Sequence, residues 1–588
     1  MDRDTTSQHS DFLLRLKSSA AVAALLIGVL AIAGCDLPTK DAQDASTNTS
    51  TDTGTDTVRP TDQALKGDGR AAAKPSSERA APVGTMEPYG PPPPPPAMLP
   101  DPKTRDKYPD AKPNPVKLVA NEPVSTFSAD VDTASYSVVR KYLTDGSLPP
   151  ADAVRIEEMV NYFDYNYALP DTKAQPFRPS VHLVQTPWNP DTQIVHIGIK
   201  GFDIPRAERP PANLVFLLDV SGSMDEPNKL PLVKKAMRML VQELDAKDHV
   251  SIVVYAGAAG TVLQPTPGSE KAKILAALDD LTPGGSTAGA EGIRQAYQLA
   301  RASMDPNGIN RVILATDGDF NVGITDPHAL EDFVARERES GVSLSVLGFG
   351  MGNYNDALMQ TLSQKGNGNA AYIDTINEAR KVLVQQIGGT LFTIAKDVKF
   401  QVEFNPSRVS EYRLIGYETR LLNREDFNND KVDAGDVGAG HTVTALYEIV
   451  PAGSNGHLMD PLRYGKATPV VAGDKTGEIA FLRMRYKLPN GQTSQLIERP
   501  ITDADKVSSI SQAPDDMRFS IAVAGFGQLL RNDPYMKSFG YKDILALADN
   551  AKGRDPFGYR SEFVQLVRTA QSSPSMQSLD QHTGNPSP

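Results

Sequence analysis

A short apolar run, residues 214–218, leads directly into the pentapeptide Asp219-Val220-Ser221-Gly222-Ser223. A continuous apolar run of this kind is typical of a strand that is buried on both faces of a parallel sheet. Ligands of open α/β sheets bind at the carboxyl edge, where such strands end. The run and the polar residues that follow it therefore predict a parallel α/β fold with a binding site at the end of this strand.

The polar side chains of this motif are all oxygen donors: Asp219, Ser221 and Ser223. Mg²⁺ prefers oxygen ligands in near-octahedral geometry and keeps several waters. The motif contains no His or Cys, which argues against zinc. Two other segments offer oxygen ligands at the same edge, with Thr287 in a loop before a predicted helix and Asp317 after a second apolar strand. The five residues together predict a site for Mg²⁺ or Mn²⁺.

Taken in chain order, these five residues resemble the metal-ion-dependent adhesion site of the von Willebrand factor type A family, over residues 212–393. The resemblance implies that Ser221 and Ser223 bind the metal directly. It also implies that Thr287 binds directly or through water, and that Asp219 and Asp317 orient the ligands from the second shell. Taken alone, Asp-x-Ser-x-Ser is also compatible with a serine-rich turn that caps a helix.

The resemblance also implies a function. In this family neutral hydroxyl oxygens leave much of the charge of the ion uncompensated, so the metal takes an anionic ligand. An Asp or Glu side chain of a partner protein supplies that ligand, and no bond is cut. The partner itself is not named by the sequence.

Helical and strand patterns alternate after the motif, which implies a parallel sheet. The predicted fold class is therefore α/β, a doubly wound, mostly parallel, Rossmann-like sheet of the von Willebrand factor A type. The predicted elements are a helix with apolar residues at helical spacing from 230 to 244, a strand at 250–255, helices near 271–281, 290–303 and 330–339, and a strand at 342–347.

The first 34 residues, 1–34, predict a secretory signal. Arg15 and Lys17 precede an apolar run of roughly 15 residues, which is shorter than the ~20 needed to span a bilayer. The run ends in Ile-Ala-Gly-Cys, which resembles the bacterial lipoprotein box and implies lipidation of Cys35, the single cysteine of the chain. Several acyl chains anchor a protein stably to a membrane.

The predicted location is thus a bacterial cell envelope, with the protein anchored by lipid and facing the periplasm. Asp36 follows the lipidated position and favours the inner membrane by resemblance to enteric lipoproteins. With one cysteine, no internal disulfide can form. Residues 35–117 are rich in Thr, Asp, Ser and Pro and predict a disordered tether, and residues 571–588 predict a disordered tail.

Two regions flank the predicted metal-binding domain. Residues 118–205 predict a small α+β region, and residues 394–570 predict a β-rich domain with terminal helices. In the β-rich domain, residues 478–487 alternate apolar and charged side chains, which indicates an antiparallel strand with one face exposed to solvent. Asn490-Gly491 predicts the hairpin turn to its partner strand.

Each flanking region carries a second acidic motif. For the motif of Asp130 and Asp132, a role in a turn and a helix cap is favoured over a second cation site. Asp426, Asn428 and Asp430 occupy positions 1, 3 and 5 of a calcium loop, but Lys431 replaces the required glycine and position 12 has no glutamate. A solvated turn is therefore favoured there over calcium.

Composition and motifs exclude several function classes. A formal net charge of −12, from 72 acidic and 60 basic side chains, gives no support for nucleic-acid binding. The chain has no Gly-x-Ser-x-Gly, Walker or His-Glu-x-x-His motif, so a non-enzymatic binding protein is predicted. The first alternative to this function is an envelope-assembly scaffold whose metal site is filled by its own flanking domains. The second alternative is a metal-dependent hydrolase.

Overall fold

The computed structural model describes residues 106–110, 112–286, 289–318, 327–460, 463 and 477–572. Residues Pro94–Pro588 cluster as one unit, and the unit before it, Met1–Pro93, lies outside the described residues. The predicted signal, Cys35 and most of the predicted tether and tail are therefore also outside them. Among the described residues, no helix combines the length and apolar character that crossing a membrane requires.

The first part of the chain, before residue 206, contains both strands and α-helices. Its elements are β1 (Lys117–Leu118), β2 (Val124–Ser128), α1 (Ala134–Thr144), α2 (Ile156–Asn161), β3 (Ser180–Thr186) and β4 (Asn189–Lys200).

The middle of the chain alternates strands and helices. Its elements are β5 (Ala212–Asp219), α3 (Leu230–Glu243), β6 (His249–Tyr255), β7 (Ala259–Pro267), α4 (Lys271–Asp279), α5 (Gly289–Ala302), β8 (Ile309–Thr316), α6 (Pro327–Glu339), β9 (Ser343–Phe349), α7 (Asp356–Lys365), β10 (Ala370–Ile373), α8 (Ile376–Arg380), a π-helical turn (Lys381–Gln385) and α9 (Ile387–Leu391).

The last part is β-rich and then helical. Its elements are β11 (Thr393–Phe404), β12 (Val409–Ile415), β13 (Gly435–Gly438), β14 (Thr442–Pro451), β15 (Glu478–Lys487), β16 (Gln495–Thr502), α10 (Asp515–Leu530), α11 (Tyr541–Asp549) and α12 (Tyr559–Ser572).

The middle segment forms a six-stranded sheet in the order β10-β9-β8-β5-β6-β7. Five strands are parallel, and β7 pairs antiparallel with β6 at one edge. All residues of the central strand β5 are buried. Leu214 and Phe216 pack in one core with α3, and Val215 and Leu217 pack in another with α5. Both faces of the sheet are thus covered by helices, which confirms the predicted doubly wound fold class.

The flanking strands do not form two separate domains. One antiparallel sheet has the order β1-β12-β14-β4-β3, in which β4 pairs with β14 from Gln193↔Ile449 to Lys200↔Thr442. In the second sheet β2 pairs with β11. The sequence placed residues 118–205 and 394–570 in separate regions, but their strands share hydrogen bonds. We therefore describe them as one flanking body, into which the α/β domain is inserted.

Part of the predicted tether, which ends at residue 117, makes specific contacts with the folded chain. The Asp106 carboxylate accepts hydrogen bonds from the backbone N–H groups of Gly352 and Tyr354, both at 2.9 Å. The Asn114 side chain donates to the carbonyl of Leu414 at 3.1 Å. These contacts are polar and use main-chain partners, so the low apolar content of this stretch did not predict them.

Local predictions in the C-terminal part are confirmed. The strand β15 covers the predicted residues 478–487, and it pairs with β16 through the turn that contains Asn490 and Gly491. The edge strand β7 and the short strand β10 were not predicted. The four residues of β10 are too few to show a period in the sequence.

Arg140 on α1 links the flanking body to the α/β domain. Its guanidinium donates to Asp374, which follows β10, and to Glu378 on α8, both at 2.8 Å. It also donates to Glu562 on α12 at 2.8 Å. Arg140 is buried, so these charge-assisted hydrogen bonds form where solvent does not screen them. One side chain therefore holds α1, α8 and α12 in a fixed arrangement.

Arg420 forms a second buried link. Its guanidinium donates twice to Asp130, with both distances 2.9 Å, and once to Asp132 at 2.7 Å. The other oxygen of Asp132 accepts from the backbone N–H of Ala370, the first residue of β10, at 2.8 Å. Arg420 thus places one positive charge between Asp130 and Asp132 and hydrogen-bonds to both carboxylates, as a structural link does.

We expect Arg420→Met to lower the free energy of unfolding by about 3–5 kcal/mol, because it leaves two buried carboxylates without their cation. Urea unfolding followed by circular dichroism measures the change. The matched control is Arg178→Met, which removes an exposed pair with Asp171 and should cost less than about 1 kcal/mol. Equal effects of the two substitutions would contradict the structural role of Arg420.

Candidate metal centre

Asp219 is the last residue of β5 and is fully buried. One of its carboxylate oxygens accepts the backbone N–H of Ser221 at 2.9 Å, and the other accepts the hydroxyl of Thr316 at 3.3 Å. Because Thr316 ends the neighbouring parallel strand β8, the carboxylate is held between two strand ends. Its orientation is therefore set before any ligand arrives.

Ser221 and Ser223 follow on a short 3₁₀ turn, Gly222–Asp225. Their hydroxyl oxygens lie 3.1 Å apart. Ser221 is buried and Ser223 is exposed. The two hydroxyls thus point to a common position at the boundary between the domain and solvent.

The loop that carries Thr287 lies against this turn. The backbone N–H of Gly222 donates to the carbonyl of Gly285 at 3.1 Å, and that of Gly284 donates to the carbonyl of Val220 at 2.8 Å. Gly285 has φ +82°, and a Cβ there would lie 2.9 Å from the backbone nitrogen of Gly257. Thr287 itself lies outside the described residues. The part of its loop up to residue 286 is held at the site.

Asp317 follows the end of β8 and is fully buried. The next residue, Gly318, has φ +102°, and a Cβ there would lie 2.7 Å from the backbone of Asn353 and Tyr354. Only glycine fits this close approach. The turn directs Asp317 into the strand-end region near Asp219. The structure therefore brings together four of the five predicted residues.

The sequence analysis missed one charged residue of this centre. The Lys229 ammonium donates to Asp317 Oδ2 at 3.0 Å, and the lysine side chain is only 4% exposed. Lys229 directly precedes α3, and no local pattern distinguishes it from the exposed lysines of that helix. The pairing depends on α3 and β8 meeting in space, which the sequence does not show.

Burial raises the pKa of Asp219 to about 6. Hydrogen bonds from Ser221 oppose this rise, and the neighbouring Asp317 carboxylate adds to it. Burial disfavours the charged form of a carboxyl, and a second negative charge nearby does the same. A bound cation would relieve both effects.

The donor set consists of two carboxylates and two hydroxyls, and a third hydroxyl belongs to Thr287 outside the described residues. Oxygen donors of this kind suit a hard divalent cation such as Mg²⁺. In the part of the chain that the structure describes, no group of three or more His, Cys, Asp or Glu side chains is arranged to hold a metal ion. The residues at the ends of β5 and β8 therefore fit the predicted ion, and they would offer it hydroxyl oxygens as well as carboxylate oxygens.

The second acidic loop is a turn closed by lysines, as the sequence favoured. The Lys399 ammonium donates to the carbonyl of Asp426 at 3.1 Å, and that of Lys487 donates to the carbonyl of Asp430 at 2.6 Å. A carboxylate oxygen of Asp430 also accepts the hydroxyl of Ser494 at 2.5 Å. Two lysine ammonium groups thus hold the main chain of this loop, and Ser494 binds the carboxylate of Asp430, the side chain at position 5.

Three family models match the chain. The von Willebrand factor type A domain matches residues 213–386, a von Willebrand factor model matches residues 102–196, and a model described as the C-terminal part of the uncharacterized protein YfbK matches residues 389–573. The uncharacterized protein YfbK of Escherichia coli (strain K12) is 47% identical over 470 residues, which cover 79% of this chain and 81% of that protein. This chain belongs to the YfbK family of von Willebrand factor type A proteins.

Other relatives match a smaller share of the chain or at lower identity. The human inter-alpha-trypsin inhibitor heavy chain H3 is 24% identical over 263 residues, which cover 41% of this chain and 28% of that protein. A solved von Willebrand factor type A structure from Catenulispora acidiphila is 13% identical, with a TM-score of 0.39, and covers 69% of this chain and 91% of its own. Von Willebrand factor type A proteins generally mediate protein–protein interactions, often through the metal-ion-dependent adhesion site.

The raised pKa of Asp219 predicts a pH-dependent stability in chelator. The folded state holds the proton more tightly than the unfolded chain, so stability falls as pH rises from about 4 to about 6. Asp219→Asn cannot ionise. We expect it to stabilise the metal-free protein by about 2 kcal/mol at pH 7.5 and to have little effect at pH 4.

Urea unfolding in EDTA at both pH values measures this difference. The control is Asp225→Asn, an exposed carboxylate on the same turn, which should change stability by less than about 0.5 kcal/mol at either pH. A gain that is the same at pH 4 and pH 7.5 would show that Asp219 is not the titrating group.

Proposed function

We propose that this protein is a membrane-anchored extracytoplasmic binding module that captures an acidic side chain of a partner protein through its metal-ion-dependent adhesion site. One observation carries the proposal. Two buried carboxylates, Asp219 and Asp317, lie at neighbouring strand ends, and Asp219 accepts from Ser221, whose hydroxyl is paired with that of the exposed Ser223. Binding without bond cleavage needs no further groups, so we propose no enzymatic activity.

The ion we propose is Mg²⁺ or Mn²⁺. Ser221 and Ser223 would hold it directly with neutral oxygens, together with Thr287. Asp219 and Asp317 would orient this donor set, and Asp219 is already fixed by the Ser221 N–H and the Thr316 hydroxyl. When bound, the ion supplies an electrophilic position for a carboxylate. Because few formal negative charges contact it, an acidic ligand is favoured over a neutral one.

Exposure at the site supports an open centre over the scaffold alternative. Gly222, Ser223 and residues 284–286 are exposed. The links to the flanking body described above fall on β10 and α8, and the contact with Asp106 falls on the loop before α7. Within the described residues, none of the hydrogen bonds or ion pairs of the flanking body reaches Ser221 or Ser223.

Ser221→Ala tests the metal site. Isothermal titration of the purified protein should show that it binds Mg²⁺ at least about tenfold more weakly than the unmodified protein, because one direct ligand is lost. Ser269→Ala, which removes an exposed hydroxyl elsewhere in the same domain, should leave the affinity unchanged. Equal Mg²⁺ binding by both variants would contradict the assignment.

The same pair of variants tests partner capture. Proteins that co-purify with the unmodified protein in Mg²⁺ should be lost in EDTA and with Ser221→Ala, and retained with Ser269→Ala. A protein retained in chelator binds elsewhere. Tight Mg²⁺ binding without any Mg²⁺-dependent partner would favour the scaffold alternative.

Cys35→Ser tests the anchor. Without the thiol that carries the lipid, the protein should move from the membrane pellet to the soluble fraction after cell lysis and centrifugation. Immunoblotting of the two fractions measures the change, with Ser269→Ala as the control that should stay in the pellet. An unchanged membrane fraction would rule out lipidation of Cys35 as the anchor.

A further inference from the structure

The Lys229 ammonium pairs with one of the two carboxylates of the site. It donates to Asp317 Oδ2 at 3.0 Å, and the two side chains are 4% and 0% exposed. Its other carboxylate neighbour, Glu226, is 3.6 Å away and largely exposed. Screening by solvent is therefore weak for the pair with Asp317 and strong for the pair with Glu226. The ion pair of Lys229 with Asp317 is therefore the stronger of the two.

The structure makes room for this lysine. Its aliphatic stem runs over Gly350, which follows β9 and has φ +73°. A Cβ at this glycine would lie 2.4 Å from the Cε of Lys229. The lysine stem is thus enclosed on the way to Asp317, and its ammonium is directed into the centre instead of to solvent.

The charges at the centre are then unequal. Asp219 and Asp317 each carry a negative charge when ionised, and Lys229 carries one positive charge. In the part of the chain that the structure describes, Asp219 forms no ion pair. Among the described residues, Asp219, Asp317 and Lys229 thus sum to one net negative charge, and a divalent ion would convert it to one net positive charge. Without Lys229 the occupied centre would be neutral.

We propose that Lys229 is a specificity-determining residue that weakens metal binding in order to keep the occupied site positive, and so favours capture of a carboxylate. This inference rests on the proposed metal-dependent function. A positive charge near a divalent cation repels it, and the same charge attracts an incoming anion, so the two effects have opposite signs. If Lys229 only positioned Asp317, its removal would not strengthen metal binding and weaken carboxylate binding at the same time.

Metal affinity is the first test, measured by titrating Mg²⁺ into the purified protein. Lys229→Met keeps the length and apolar stem but removes the charge, and Lys229→Gln also keeps a hydrogen-bond donor for Asp317. Both should bind Mg²⁺ about tenfold more tightly than the unmodified protein. Lys229→Arg keeps the charge and should bind about as tightly as the unmodified protein. The control Lys235→Met, at an exposed position of α3, should do the same.

Carboxylate capture is the second test. Acetate is titrated into the Mn²⁺-loaded protein, and displacement of metal-bound water is followed by water-proton relaxation. Lys229→Met and Lys229→Gln should bind acetate several-fold more weakly than the unmodified protein, while Lys229→Arg and Lys235→Met should match it. Thermal melts in EDTA serve as a fold check. The melting temperature of Lys229→Met should fall, because Asp317 loses its cation, and should recover in Mg²⁺.

The outcomes separate the two proposals. If the unmodified protein does not bind Mg²⁺, the proposed function fails and this inference fails with it. If the unmodified protein binds Mg²⁺ but the folded neutral variants bind it equally or more weakly, only the role of Lys229 is overturned. If Lys229→Gln, but not Lys229→Met, binds Mg²⁺ and acetate as the unmodified protein does, Lys229 acts through its hydrogen bond and not through its charge. Tighter Mg²⁺ binding with unchanged acetate binding would overturn the role in capture.

Discussion

Two carboxylates at the ends of adjacent parallel strands are the constraint on which the site depends. The strands β5 and β8 run in register, with Leu218 beside Ala315, so Asp219 and Asp317 reach the same buried edge. Negative charges in such a place are costly unless donors or cations meet them. The Ser221 N–H, the Thr316 hydroxyl and the Lys229 ammonium meet part of this need. The remaining negative charge is what a divalent metal ion would more than offset.

The other acidic clusters of the protein show the contrast. Arg420 donates to both Asp130 and Asp132, and Lys399 and Lys487 close the loop that resembled a calcium site. In each of these clusters cationic side chains contact both acidic residues, so the clusters serve as structural links. At the strand-end centre, Lys229 contacts Asp317, and Asp219 forms no ion pair among the described residues. A buried carboxylate without a cationic partner, more than the number of carboxylates, thus separates the candidate site from the structural clusters.

The α/β domain is held inside a body built from both ends of the chain. The strand β2 pairs with β11 and β4 pairs with β14, although hundreds of residues separate each pair. The flanking body then contacts the domain through buried Arg140, which pairs with Asp374, and through Asp132, which accepts the backbone N–H of Ala370. Arg140 tolerates burial because it is paired and hydrogen-bonded. This arrangement fixes β10 and α8 while Ser223 stays exposed. The proposed binding edge therefore belongs to a domain that is held by its flanks.

The local features of this protein are encoded in short stretches of its sequence. The apolar run before Asp219, the alternation of helices and strands and the period of β15 are recorded in neighbouring residues, so the fold class and four residues that meet at the site could be predicted. Only the tertiary structure decided that the two flanks share their sheets and that Lys229 faces Asp317. It also decided that Arg420 meets Asp130. Pairings between distant segments depend on which surfaces come together in space, and one buried lysine has no pattern of its own that would distinguish it from a solvated one.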